Sequence, residues 1–329
     1  MNSRCVELDI IKVIAIVLVV VGHVCMFYTS HALSTPLNGS IFLSHAKEVI
    51  YSFHMPLFIF VSGCVYGYQT EILNKQQEFL PFFKKKWKRL MVPYFIFGLF
   101  YVAPFMVLLG YRENYWNYVL NGIILSEDCR HLWYVWALFN IFILCYFFLR
   151  IIKNLKLYIY ILLIISVGCL LLSQYIPYIF QLSTAFKYII WFSLGYVFFA
   201  YKESMNKAYL IKYGYLGGLF LIFKFICPNT SFPLDDSIYA LSGIVFCWSL
   251  ANSLKTTAKY PLFKLIDRNS YGLYLFHPII IYVLFYLLGH LDISPYLLSI
   301  SVFIISFVLS IVFTEIVRMC RLNFIIGEK

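Results

Sequence analysis

Charge is what this chain has least of. Only 12% of its 329 residues are Asp, Glu, Lys or Arg, while 62% are hydrophobic and the mean hydropathy is +0.82. A soluble globular domain carries about 25% charged residues, so composition alone excludes one. Acids are scarcer still, 15 against 26 Lys and Arg, which leaves a net charge of +11. In a soluble chain that excess would suggest nucleic acid; here its distribution accounts for it and no nucleic-acid partner is expected. Metal-site spacing is also missing. The nine cysteines are scattered, with no CxxC pair, and read as small apolar fillers. Cys129 and Cys227 fall in loops expected on one side, which permits a disulfide. There is no internal repeat, no low-complexity tract, and no small-residue cleavage site after the first apolar run to make it a signal peptide.

What is present is a series of apolar runs near the length that crosses a bilayer core. Ten spans are expected, at 9–29, 49–68, 91–110, 132–149, 157–173, 186–201, 208–226, 237–254, 270–289 and 295–317. The reading is an all-α polytopic membrane protein, one domain over 1–329 with no appended soluble domain. Basic residues crowd alternate loops: Lys84, Lys85, Lys86, Lys88 and Arg89; Arg150, Lys153 and Lys156; Lys202, Lys207 and Lys212; Lys255, Lys259, Lys264 and Arg268. The opposite loops hold Asp128, Asp235, Asp236 and Asp292. Positive residues mark the cytoplasmic side, so both termini are expected there.

The first run is no plain anchor. It carries Asp9 and Lys12 at its start and His23 deep inside. Lys12 and His23 are eleven positions apart, nearly three whole turns at about 100° per residue, so they share one face roughly 16 Å apart. Ionisable groups at membrane depth are costly and face a bundle interior or a wet cavity. His54, in Ser52-Phe-His-Met-Pro-Leu-Phe58, and His131, in Arg130-His-Leu-Trp133, are expected at the same outer depth as His23. Neutral imidazole takes a proton near neutral pH, its unperturbed pKa being about 6.5. None of the three has a second His or a carboxylate at i+3 or i+4, so no helical metal pair forms and no metal is expected.

Two further stretches carry candidate binding chemistry. Pro81-Phe-Phe-Lys-Lys-Lys-Trp-Lys-Arg89 suits anionic lipid headgroups, or a polyanion with Lys86, Lys88 and Arg89 on phosphates; on a helix Lys85 and Lys86 share a face with Arg89. The loop Tyr111-Arg-Glu-Asn-Tyr-Trp-Asn-Tyr118 mixes rings that stack on sugars with amides and carboxylates that bond hydroxyls. It also suits the lipid interface.

Taken together these residues resemble the integral-membrane acyltransferase 3 family, the group that includes fucose 4-O-acetylase-like proteins. The matching pieces run in order: Leu8-Asp9 and Lys12 with Gly22-His23; Phe53-His-Met-Pro-Leu-Phe58 with Ser62-Gly63; Lys88-Arg89-Leu-Met-Val-Pro93; His131-Leu-Trp133; and a late Tyr271-Gly-Leu-Tyr-Leu-Phe-His277. Lys12 stands where many members have Arg, and the basic run is Lys-rich where Arg is common. The resemblance implies transfer of an acyl group, usually acetyl, from cytoplasmic acyl-CoA to a hydroxyl of an extracytoplasmic or lipid-linked glycan, in the inner membrane of a bacterial cell. His23 is then the expected base, with His54 or a nearby donor on the oxyanion. Asp9, Lys12, Lys86, Lys88 and Arg89 are expected to bind acyl-CoA or line its path, and Trp116, His131 and Trp133 to meet the acceptor. Acetyl-CoA is a co-substrate and no tightly bound cofactor is expected. The rival reading is a polysaccharide or small-molecule transporter with the ionisable stripe as its path, against which stands the absence of two related halves.

Overall fold

A computed structural model describes residues 5–29, 40–73, 77–151, 155–201, 207–228 and 235–328. Among them the chain is helical and contains no strand. Ten main helices follow in order: α1 Val6–Met26, α2 Ile41–Glu71, α3 Phe79–Leu108, α4 Trp133–Ile151, α5 Leu155–Leu172, α6 Leu182–Ala200, α7 Lys207–Ile226, α8 Asp235–Ser253, α9 Pro261–Leu288 and α10 Pro295–Met319. Seven stretches, built on α1, α2, α3, α4, α6, α9 and α10, are long and apolar enough to cross a membrane. The other three helices stand where the sequence places its fifth, seventh and eighth spans. No disulfide links any of the nine cysteines; the Cys129 sulfur accepts from the Ser126 hydroxyl at 3.1 Å instead.

The helices fall into two compact units. The first takes residues 1–61 and 203–316. Its core is apolar: Val20 and Val24 of α1 and Phe27 just after it meet Ile281 and Phe285 of α9 and Leu298 and Val302 of α10. Contacts between α1 and α9 advance together along both chains, Lys12 with Asp267, His23 with His277, Phe27 with Phe285, so the two helices run parallel. α10 runs antiparallel to α9, with Glu315 on Arg268 and Phe313 on Phe276. α7 and α8 form an antiparallel pair, Gly217 against the Ser242 backbone and Lys224 over the Tyr239 ring at 4.8 Å. Lipid gives helices no hydrophobic reason to associate, so such close backbone approach through small residues supplies the packing.

The second unit takes residues 62–202 and 317–329. Aromatic rings dominate it. Phe79 and Phe82 at the start of α3 lie against Tyr146 of α4 at 5.4 and 4.8 Å, and Phe83 meets Phe139. Tyr94 stacks on Trp136 and donates to the Ile123 carbonyl at 2.7 Å. At Gly63 the end of α2 lies directly on the Phe192 carbonyl of α6, where an added Cβ would overlap backbone. The backbone cannot rotate away as a side chain would, so Gly63→Ala is expected to destabilise by about 1–3 kcal/mol, as overpacking does. The check is the melting temperature in detergent. Gly168→Ala, on α5 where a Cβ meets nothing within 4 Å, is the comparison and should not lower it.

Candidate functional site

The first unit holds a ladder of polar pairs along the parallel helices α1 and α9. At its lower rung the Lys12 ammonium meets the Asp267 carboxylate at 2.6 Å, with Asp267 only 6% exposed. Around it Glu7 pairs with Lys255 at 2.8 Å and Glu315 with Arg268 at 3.0 Å; Asn269 adds a bond to Glu315 at 2.9 Å. Asp9 lies in the first turn of α1 and is half-buried, where the helix dipole favours an acid. At the upper rung His277 Nε2 lies 3.2 Å from His23 Nδ1, with the ring centroids 4.9 Å apart. The expected shared face of Lys12 and His23 is therefore real, and it is the face turned to α9.

Backbone carbonyls assign the tautomers. His23 Nδ1 lies 2.9 Å from the Val19 oxygen, His54 Nδ1 2.8 Å from Ile50, and His277 Nδ1 2.7 Å from Leu273. A carbonyl oxygen only accepts, so each Nδ1 carries the proton and each neutral ring keeps its lone pair on Nε2. The Nδ1–H of His23 is thereby shared between Val19 and His277, and its Nε2 is a base. Neutral His54 likewise offers an acceptor at Nε2, whereas an oxyanion needs a donor. A donor stands beside it: the Tyr51 ring lies 4.8 Å from His54 and 6.2 Å from His23. The Tyr51 hydroxyl is engaged by the Met26 thioether at 3.4 Å, a weak acceptor that a ligand readily replaces.

Of the residues singled out in sequence, the structure brings together His23, His54 and Lys12 within this unit. The imidazole that reaches His23 is His277, which the late motif contains but to which the sequence assigns no role. Asp267 and Tyr51 were missed altogether. One signal was available: Asp267 and His277 are ten positions apart on α9, nearly the spacing of Lys12 and His23 on α1. His131 lies in the second unit, in the tight turn Arg130–Leu132 before α4.

The basic run of the second unit is helical, and the turn Trp87–Met91 widens to a π-helix. Lys84, Lys85, Lys88 and Arg89 are exposed. Lys86 differs: its ammonium sits 3.2 Å from the Phe142 ring centroid, with Phe82 and Tyr66 at 5.5 and 5.9 Å. Such desolvated cation–π contact stabilises by about 2 kcal/mol and turns Lys86 towards the rings.

The loop after α3 encloses a polar recess of 510 Å³ whose lining includes Tyr111, Glu113, Asn114, Asn117, Asn121 and Glu127. Asn121 donates to Asn117 at 2.7 Å, and Arg112 pairs with Asp128, which holds its guanidinium still more firmly protonated than usual. Trp116, 75% exposed, Trp133, packed on Tyr188 at 5.5 Å, and His131 lie outside its lining. Burial pushes the nearby Cys129 thiol up to about 11, so it remains a thiol and is no nucleophile.

Among the described residues no group of three His, Cys, Asp or Glu is placed to hold a metal ion. No curated protein and no solved structure matches the chain. The acyltransferase domain family matches residues 6–315, nearly the whole chain and both units. A multi-pass membrane chain with an imidazole pair between two of its apolar helices, it belongs to the acyltransferase 3 family.

Proposed function

We propose that this protein is an O-acetyltransferase that moves an acetyl group from cytoplasmic acetyl-CoA to a hydroxyl of an extracytoplasmic or lipid-linked glycan, in the inner membrane of a bacterial cell. The observation that carries the proposal is the His23–His277 pair, with the His23 lone pair directed away from its two hydrogen-bond acceptors, in a chain of an acyltransferase family. The glycan hydroxyl attacks the thioester carbonyl while His23 Nε2 takes its proton. The developing oxyanion accepts from the Tyr51 hydroxyl, and His54 Nε2 accepts from a second acceptor hydroxyl. The C–S bond then breaks and the thiolate takes back the proton from His23, so ester and CoA thiol leave and the enzyme returns unchanged. Acetyl-CoA is a co-substrate; the scheme uses no metal and no tightly bound cofactor.

For the donor we assign Lys88 and Arg89 to the CoA phosphates, with Lys86 anchoring their turn through its rings, and Asp9 and Lys12 to the path of the pantetheine arm. Losing one charge-assisted bond of about 1.5 kcal/mol weakens binding about tenfold. Arg89→Ala and Lys88→Ala are therefore expected to raise the acetyl-CoA KM by about that factor with kcat nearly unchanged. A kcat loss at constant KM would move the phosphate site elsewhere. For the acceptor we assign the recess between Tyr111 and Asp128, with Trp116, His131 and Trp133 as flanking contacts.

The topology we propose has ten spans and both termini in the cytoplasm. The parallel pairing of α1 and α9 supports an even total, eight or ten. Helices that run the same way are separated by an odd number of crossings, and α2, α3, α4 and α6 make an even number. One or all of α5, α7 and α8 must then cross. Since α7 and α8 pair antiparallel, both cross or neither does, and α5 crosses in either case.

The ladder of ionisable pairs on α1 and α9 also favours a second reading, a transporter with a proton path. Purified protein in lipid nanodiscs, given acetyl-CoA and a glycan extract of its own membranes, separates the two. The transferase releases CoA thiol in step with glycan ester formation, and a transporter releases none.

A further inference from the structure

We infer that His277 is the positioning residue of His23: its Nε2 accepts the Nδ1–H of His23, aims the opposite nitrogen at the reacting hydroxyl, and shares the positive charge once His23 is protonated. The inference rests on the reading of His23 as the base. Its geometry is that of a side chain built for one task. His277 is fully buried, and its Nδ1–H is committed to the Leu273 carbonyl at 2.7 Å. In the neutral ring that leaves a lone pair on Nε2, and the 3.2 Å contact places it against His23.

Val19 cannot substitute for it. The Val19 carbonyl belongs to the same helix as His23 and also accepts the helix backbone bond, and a carbonyl oxygen takes no proton at these acidities. An imidazole does. When the glycan hydroxyl loses its proton to His23 Nε2, the Nδ1 proton can shift along the 3.2 Å contact to His277 Nε2; His23 is then neutral and His277 carries the charge. When the thiolate takes the proton from His23 Nε2, the shared proton returns to His23 Nδ1. No net proton is gained or lost. A carboxylate here would make the same bond, but burying an unpaired charge between two apolar helices is costly; a neutral imidazole does the work without a resident charge. The register of the pair is fixed one end away by Lys12 and Asp267 at 2.6 Å, so the two rings meet without either helix having to shift.

Inside-out vesicles of the native membrane, which carry the natural acceptor, allow kcat and the acetyl-CoA KM to be read for His277→Leu and His277→Gln. The glutamine oxygen reaches the place of Nε2 and accepts; leucine fills the space and does not. The leucine variant should lose about 100-fold in kcat with KM unchanged, and the glutamine variant should recover at least tenfold of it. Equal activity of the two at equal protein level, high or low, overturns the inference, because packing alone would not rank them. If leucine prevents accumulation in the membrane, His277→Asn takes its place, its amide being one methylene too short; equality with glutamine again overturns the inference. His23→Gln in the same vesicles keeps the two claims apart. Full activity of that variant defeats the assignment of the base itself, whereas a dead His23→Gln with unranked His277 variants defeats only the positioning role.

Discussion

His23→Gln is expected to abolish acetyl transfer, with a loss of 10²–10⁴-fold, the range that general-base catalysis supplies. Glutamine is the informative replacement. Its amide keeps a polar group at the position of Nε2 and its volume suits the space between α1 and α9, yet it takes no proton near neutral pH. Protein abundance and melting temperature should therefore hold while thiol release and glycan acetylation fall together. If thiol release persisted while glycan acetylation disappeared, His23 would serve the acceptor only, and the base for thioester attack would lie elsewhere.

The second large effect concerns the lower rung of the ladder, and it is asymmetric. Lys12→Met removes the ammonium that meets the Asp267 carboxylate, which is 6% exposed. Breaking a buried pair from one side costs about 3–5 kcal/mol. Asp267→Asn leaves Lys12, whose side chain is 36% exposed and whose long stem lets the ammonium reach water or headgroups, so about 1 kcal/mol is expected by discounting that range for solvent access. Lys12→Met combined with Asp267→Leu removes both charges and should recover most of the first loss. Melting temperatures in detergent for the wild type and the three variants read these effects. Equal effects of the two single changes would mean that the pair is solvated and does not fix the register of α1 against α9.

Much of the architecture was legible because hydropathy and helical period are local properties. Each of the ten expected runs lies on a helix, and the common face of Lys12 and His23 follows from about 100° per residue. The starts of three helices were not legible, for one reason. α2 begins at Ile41 and not at 49, α3 at Phe79 and not at 91, α9 at Pro261 and not at 270. In each case charged residues lie inside the helix and look like loop when read alone. Lys47 is held by Glu48 at 2.8 Å and by the Tyr51 ring; the Lys-rich turns of α3 are carried by Phe79, Phe82 and Phe83 on α4; Asp267 and Arg268 meet Lys12 and Glu315. A hydropathy window counts the charge and cannot see the partner that holds it.

The site follows the same division. His23 and His54 stood out as imidazoles inside apolar runs. The partner of His23 did not, since His277 is 254 positions away and only the parallel packing of α1 on α9 unites them. Tautomers were beyond reach as well, because they depend on which nitrogen faces a carbonyl; that detail takes the donor role from neutral His54 and offers it to Tyr51. Lys86 read as a phosphate ligand by charge and position, yet three rings hold its ammonium. For the acceptor, the aromatic and amide content of 111–118 pointed to the loop that carries the polar recess. The recess itself is lined more by Asn114, Asn117 and Asn121 than by Trp116, because Trp116 points out of the fold while the amides bond one another.

The most direct measurement uses sealed inside-out vesicles given acetyl-CoA labelled in the acetyl group on their outer, formerly cytoplasmic, face. Wild-type protein should place label on glycan as alkali-labile ester, with one CoA thiol left outside for each ester formed, and His23→Gln should place none. Label on glycan at the same rate in both, or label entering the vesicle as intact acetyl-CoA, would contradict the account.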